Sequence, residues 1–228
     1  MADTFVEIAH IRTDFPTKFG IPRQSGLVEA LEGVIVFAPK YRDANALRGL
    51  EGYSHIWLLW KFSEAVAAEW SPTVKPPRLG GNTRMGVFAT RSPFRPNPIG
   101  LSCVRLLGID YDTPEGAVLR VAGADLMDGT PIYDIKPYLP YADCHPDATA
   151  GFAGTVERHR LEVSFPEALL AEIPEDKRAA LLGILEQDPR PGYRRGESGR
   201  RYGVAFAGMD VRFVVEGDVL RVVEVVKE

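Results

Sequence analysis

Apolar residues come in short runs through the first 145 positions, and glycine or proline closes most of them. Residues 5–11, 34–37, 55–62, 85–90, 102–109 and 117–122 are rich in β-branched and aromatic side chains, either alternating or wholly apolar. That is the pattern of strands with one or both faces buried. No strand-helix alternation long enough for a doubly wound fold separates them, so an antiparallel sheet or barrel is predicted. One segment has helical spacing instead: Asp43 is placed to cap, and Ala44, Leu47 and Leu50 follow on one face.

The pattern changes near residue 148. A Gly/Ala-rich join leads to a predicted strand at 161–165. Leu169, Leu170, Ile173, Leu181, Leu182 and Leu185 then recur at helical spacing, with a break expected at Pro174. Apolar runs at 203–206, 211–215 and 219–226 follow, the last two as a hairpin turning at 216–218. The expected fold class is mainly β, or α+β. An N-terminal antiparallel β-barrel over residues 1–147 is followed by a smaller α+β domain over residues 148–228.

Composition adds limits. The 228 residues are 45% hydrophobic and 25% charged, with a formal net charge of -4, so any surface for a polyanion has to be a local patch. Only Cys103 and Cys144 are present, and no targeting segment or apolar run of about 20 residues is seen. A cytoplasmic protein with reduced thiols, not embedded in a membrane, is expected.

Candidate chemistry is densest between residues 84 and 134. Residues 76–100 read PPRLGGNTRMGVFATRSPFRPNPIG, where proline and glycine shape an irregular backbone before any ligand arrives. Arg84, Arg91 and Arg95 add guanidinium forks suited to carboxylate or phosphate. Composition alone allows plain connecting turns with solvated arginines equally well. In residues 124–143, ADLMDGTPIYDIKPYLPYAD, the carboxylates Asp125, Asp128 and Asp134 suit ribose hydroxyls or a sulfonium charge, and a simple turn at Asp128–Gly129 is the alternative. Metal is the weaker reading, because the acidic spacing is irregular, Cys144–His145 stands far from Cys103, and no CxxC or HxxxH spacing occurs. No Walker motif and no GxGxxG after a strand are present. Residues 188–201, DPRPGYRRGESGRR, hold five arginines against two acids, a local charge of +3 flanked by Tyr193 and Tyr202. That suits RNA, as it suits a solvated loop.

The strings PRQSGL at 22–27, RGLEGYSHIWLL at 48–59, KPPRLGG at 75–81, MGVFATRSPFRPNPIGLS at 85–102, DGTPIYDIKPYLPYAD at 128–143 and DPRPGYRRGE at 188–197 resemble the TrmO (TsaA-like) family of tRNA methyltransferases along nearly the whole chain. The resemblance implies a non-Rossmann β-barrel that binds S-adenosyl-L-methionine in its loops, forms a homodimer and methylates threonylcarbamoyladenosine beside the anticodon of tRNA. It implies cofactor contacts at Pro22, Arg23, Gln24, Phe62, Ser63, Arg91, Leu101, Asp125, Leu126, Met127 and Asp128. Ser63 stands where histidine is expected in relatives. For the threonyl carboxylate the candidate cations are Arg84, Arg95 and Lys136; for RNA, Tyr193, Arg194 and Arg195; for a general base, Asp134 and Tyr133. A nucleotide-binding barrel without catalysis, or a methyltransferase of this fold with another substrate, are the alternatives.

Overall fold

The computed structural model describes residues 5–64, 69–79, 83–155, 159–190 and 199–227. In chain order its strands are β1 Ala9–Arg12, β2 Glu32–Phe37, β3 His55–Lys61, β4 Thr73–Val74, β5 Met85–Gly86, β6 Ile99–Asp110, β7 Val118–Ala122, β8 Thr130–Pro137, β9 Glu162–Ser164, β10 Arg201–Phe206, β11 Met209–Glu216 and β12 Val219–Lys227. Six of them close a barrel in the order β1-β2-β7-β6-β3-β8. Alternation decides which side chains face inward: Ile56, Leu58 and Trp60 of β3 are buried, while Trp57 and Leu59 between them are only half-buried. Every pair in the barrel is antiparallel. The expected barrel is therefore present.

The second half forms a four-stranded sheet, β10-β11-β12-β9, with β9 parallel to β12. The 12-residue helix Glu175–Glu186 packs beside it, burying Ala180, Leu181, Ile184 and Leu185. Pro174 is its N-cap and separates it from the short turn Glu167–Leu170, as the sequence predicts.

Three elements differ from the sequence reading. Of residues 85–90, only Met85–Gly86 is strand, paired with β4, and Val87–Ala89 then coils into a 3-10 turn. The helical pattern at 43–50 yields the 3-10 turns Ala44–Leu47 and Leu50–Gly52; Asp43 does cap the first, accepting from the Asn45 backbone N–H at 2.9 Å. Phe5 and Val6 are exposed and precede β1.

Two hydrophobic cores result, and the second reaches back in sequence. Phe15, Val28 and Leu31, from the segment joining β1 to β2, are buried among the sheet and helix of the C-terminal half. The Phe15 and Phe206 ring centroids are 5.3 Å apart, the Ala207 backbone N–H donates to the Asp14 carbonyl at 2.9 Å, and Lys177 pairs with Asp14 at 2.7 Å. Residues 13–31 thus belong to both halves, which positions the site described next.

Candidate active site

One end of the barrel opens into a cavity of about 670 Å³, within the range of small-molecule sites. Four segments converge there: the β1–β2 connection, the end of β3 running into Phe62–Glu64, the turn 90–95 with the start of β6, and the loop between β7 and β8. Each is held by bonds to the others. The Cys103 backbone N–H donates to Ser25 Oγ at 3.1 Å, and the Gly26 N–H donates to the Gly123 carbonyl at 2.9 Å. Gly123 has φ +76°, and a Cβ there would meet the Gly26 backbone at 3.3 Å, so this crossing depends on glycine. Thr13 ties the same connection to the β7–β8 loop: its N–H donates to Asp128 Oδ1 at 3.0 Å, and its hydroxyl donates to the Leu126 carbonyl at 3.0 Å.

Pro22, Arg23, Gln24, Phe62, Ser63, Arg91, Leu101, Asp125, Leu126 and Met127 all line this cavity. Asp128 does not; its carboxylate is turned to Thr13 and serves the loop crossing. The walls are aromatic. Trp60 and Phe62 pack tilted at 60° with centroids 4.3 Å apart, and half-exposed Phe94 adds a third ring from the turn. Arg91 donates to the Gln24 side-chain carbonyl, joining two of the converging segments. Burial pushes the Asp125 carboxyl up from its ordinary value; the Ser102 hydroxyl, the Asp125 and Ser25 backbone N–H groups and the Arg91 charge oppose this.

The remaining candidates divide. Arg95 lines the cavity, but its guanidinium donates to the Thr90 carbonyl at 2.7 Å and lies over the Phe88 ring, so it braces the 87–95 turn. Arg84 donates to Thr73 Oγ1 at 2.6 Å in the β4–β5 ribbon, outside the cavity wall. Lys136 pairs with Asp134 at 2.8 Å, and Asp134 lines a second cavity of about 480 Å³ at the opposite end of the barrel, with Tyr41, Arg48 and Tyr53. Tyr133 stacks on Phe5 at 5.4 Å. Asp134 and Tyr133 are thus not brought to the first cavity within one chain; β8 starts at that cavity with Thr130 and carries them away from it. Tyr193, Arg194 and Arg195 lie outside the described residues. Nearby, Arg190 is only 3% exposed and bonds Asp188 through two nitrogens, at 2.8 and 3.1 Å, so this arginine of the basic segment is internal.

Sequence reasoning missed Trp60 and Gly100, which line the inner wall, Ser102, which is buried behind it and bonded to Trp60 and Asp125, and the lysines Lys18 and Lys61 at the rim. Trp60 and Ser102 carry the signal of ordinary inward-facing strand residues, which hides them among core positions.

A barrel-end cleft with aromatic walls, a cationic rim and a buried carboxylate, without a phosphate-cradling glycine loop among the described residues, is the site of a non-Rossmann barrel suited to a charged, nucleoside-like ligand. The family can be named. The model of the tRNA-methyltransferase O N-terminal domain matches residues 10–144 and that of the TrmO C-terminal domain matches residues 158–228, and the chain belongs to this family. It is 44% identical over 218 residues to the tRNA (adenine(37)-N6)-methyltransferase of Escherichia coli K12, covering 92% of each chain. It is 41% identical over 233 residues to a Pseudomonas aeruginosa protein named "Putative S-adenosylmethionine-dependent methyltransferase RcsF", covering 99% of this chain and 98% of that one. The crystal structure of TrmO from Pseudomonas aeruginosa superposes with a TM-score of 0.79 at 37% identity, covering 99% and 98% of the two chains.

Proposed function

We propose that this enzyme methylates the exocyclic nitrogen of adenosine 37 in tRNA with S-adenosyl-L-methionine as donor, and that its target base carries the threonylcarbamoyl group. The carrying observation is the convergence of ten cofactor candidates from four separate segments on one cavity, in a chain whose full-length relative is an adenine-37 methyltransferase. The donor supplies an electrophilic methyl on a positively charged sulfur. The residues present suit it: Trp60 and Phe62 offer ring faces to a purine, Arg23 and Arg91 offer donors to an amino-acid carboxylate, and Asp125 offers an acceptor and a negative charge.

The chain's contribution is chiefly positioning. A nitrogen conjugated to both a purine and a carbamoyl group is a weak nucleophile, so alignment at about 3 to 3.5 Å carries much of the rate. The cations facing the cavity are Lys18, Arg23, Lys61, Arg91 and Arg95, and these replace Arg84 and Lys136 as partners for a threonyl carboxylate. Anticodon-loop bases can be splayed from the stack at modest cost, which suits an open barrel end.

We assign residues 1–147 to methyl transfer and residues 148–228 to tRNA contact, with Tyr193, Arg194 and Arg195 in that contact. A homodimer is proposed as the working form, supported by the exposed Tyr53 on the second cavity and the exposed Phe5 stacked on Tyr133, and sedimentation tests it. A cytoplasmic setting accords with the unbridged Cys103 and Cys144. The main test is methyl incorporation from labelled donor into tRNA with and without the threonylcarbamoyl group. Incorporation into the modified tRNA alone is expected; equal rates on both exclude the carbamoylated target.

A further inference from the structure

The inner wall of the cavity carries a directional chain of hydrogen bonds. Trp60 of β3 lies opposite Gly100 of β6, and its ring fills the place that a Cβ on Gly100 would take, with ring atoms 2.2, 2.4 and 2.6 Å from that point. The ring so held sends its indole N–H to Ser102 Oγ at 2.9 Å. An indole nitrogen only donates, so the serine oxygen accepts there, and its own hydrogen is left for another partner. That partner is Asp125 Oδ1 at 2.6 Å, the length of a charge-assisted O–H···O bond. Ser102 is fully buried, and water does not compete. Nothing in a barrel core requires this. A serine with satisfied hydroxyl, a tryptophan accommodated by a missing Cβ and a carboxylate drawn to the cavity wall cost more than apolar packing does.

We propose that Trp60 and Ser102 are positioning residues that aim Asp125 into the cavity as a fixed negative charge facing the sulfonium of the methyl donor. The proposal rests on the donor reading above. Such a charge distinguishes the donor from its demethylated product, since the two differ by the methyl group and the positive charge on sulfur. Of the charged groups on the cavity, Arg91 acts directly on Asp125; Lys18 and Arg23 on the β1–β2 connection, Lys61 and Glu64 at the end of β3 and Arg95 on the turn before β6 share its lining, while Asp128 on the same loop is turned to Thr13. The Ser102 hydroxyl favours the ionised carboxylate, so deleting it moves protonation of Asp125 to higher pH.

The test is calorimetric titration with S-adenosylmethionine and with S-adenosylhomocysteine between pH 5 and 8, using wild type, Ser102→Ala, Ser102→Thr, Trp60→Phe and Asp125→Asn, with melting curves to confirm folding. Wild type should prefer the sulfonium ligand. That preference should fall roughly tenfold in Ser102→Ala and Asp125→Asn, by less in Trp60→Phe, and survive in Ser102→Thr. The acid loss of S-adenosylmethionine binding should also begin at higher pH in Ser102→Ala than in wild type. Equal weakening of both ligands in Ser102→Ala and Trp60→Phe overturns the proposal, because packing alone does that. Unchanged affinities overturn it too. A wild type that binds neither ligand removes the donor reading itself.

Discussion

Replacing Phe15 by alanine should destabilise the C-terminal half and weaken donor binding at a cavity that Phe15 does not line. Its side chain is 1% exposed, and its ring tilts at 59° against Phe206 with centroids 5.3 Å apart. Burial of a phenylalanine is worth about 1.5–3 kcal/mol, and an aromatic pair adds about 0.5–1.5. The total of roughly 2–4.5 kcal/mol agrees with the usual 3–5 for emptying such a site. The binding effect follows from the backbone: the Phe15 carbonyl accepts from the Asp128 N–H at 2.9 Å, and Thr13 holds Asp128 and Leu126 two residues away. Loss of the ring loosens the connection that carries Pro22–Gln24 and the loop that carries Asp125–Met127 together. Urea unfolding measures the first effect, and calorimetric titration with the donor measures the second. Phe15→Leu, which keeps most of the volume, should lie between. A stability loss under about 1 kcal/mol refutes the packing estimate. Donor affinity unchanged in a protein that has lost the full amount refutes the linkage between the second core and the cavity.

Asp188→Asn keeps a side chain that tolerates the φ of +52° there but leaves Arg190 charged and buried, so a loss of about 3–5 kcal/mol is expected; denaturation midpoints decide it. Gly100→Ala places a Cβ against the Trp60 ring and should cost about 1–3 kcal/mol and lower donor affinity, whereas an unaltered Trp60 fluorescence and affinity would show that the ring is not seated on Gly100. The carboxyl of Asp125 is pushed up by burial, so its ionisation costs stability above the unfolded value of 3.8, increasingly as pH rises through the folded value. Asp125→Asn should therefore melt no lower than wild type at neutral pH, with any advantage shrinking toward acid, while its preference for S-adenosylmethionine over S-adenosylhomocysteine falls roughly tenfold. Arg194→Ala with Arg195→Ala should weaken tRNA binding more at low salt than at high salt, as seen by filter binding across a salt series.

The barrel was legible because its strands alternate or run apolar between breakers, so β2, β3 and β7 announce themselves at nearly their true limits, while β6 begins three residues before the expected 102, at Ile99. The helix Glu175–Glu186 shows in the same way through its spacing. β8 is harder: Thr130–Pro137 mixes Thr, Pro, Tyr, Asp and Lys, and it becomes a strand because β1 and β3 flank it with free edges. Residues 85–90 err in the other direction. They are apolar enough for a strand, yet Thr90 Oγ1 donates to the Val87 carbonyl and Arg95 caps the same turn, so local bonds win over strand pairing.

Site residues separate along similar lines. The loop 91–95 draws attention because proline and arginine cluster there, although composition alone allows a plain connector equally well, and residues 22–24 come to notice only through the family resemblance. Arg84 and Lys136 look the same in sequence as Arg91, and only the bonds to Thr73 and Asp134 set them apart. The reverse holds for Arg190, which reads as part of a basic patch until Asp188 is seen beside it in the interior.

The placement of residues 13–31 gives the two halves a common fate. A barrel needs only a short connection between β1 and β2, and here that connection spends Phe15, Val28 and Leu31 on the core of the other half before returning. Gly20 is set against Val204 and Gly183 against Val28, at distances that leave no room for a side chain. Between those anchors lie Pro22, Arg23 and Gln24, on the wall of the cavity. The proposed donor site is therefore not a property of the barrel alone in this chain: one of the four walls of the cavity is fixed by the half proposed to meet tRNA. Any shift of the C-terminal sheet on meeting RNA has a direct mechanical route, through Phe15 and Asp14, to the loop proposed to hold the donor.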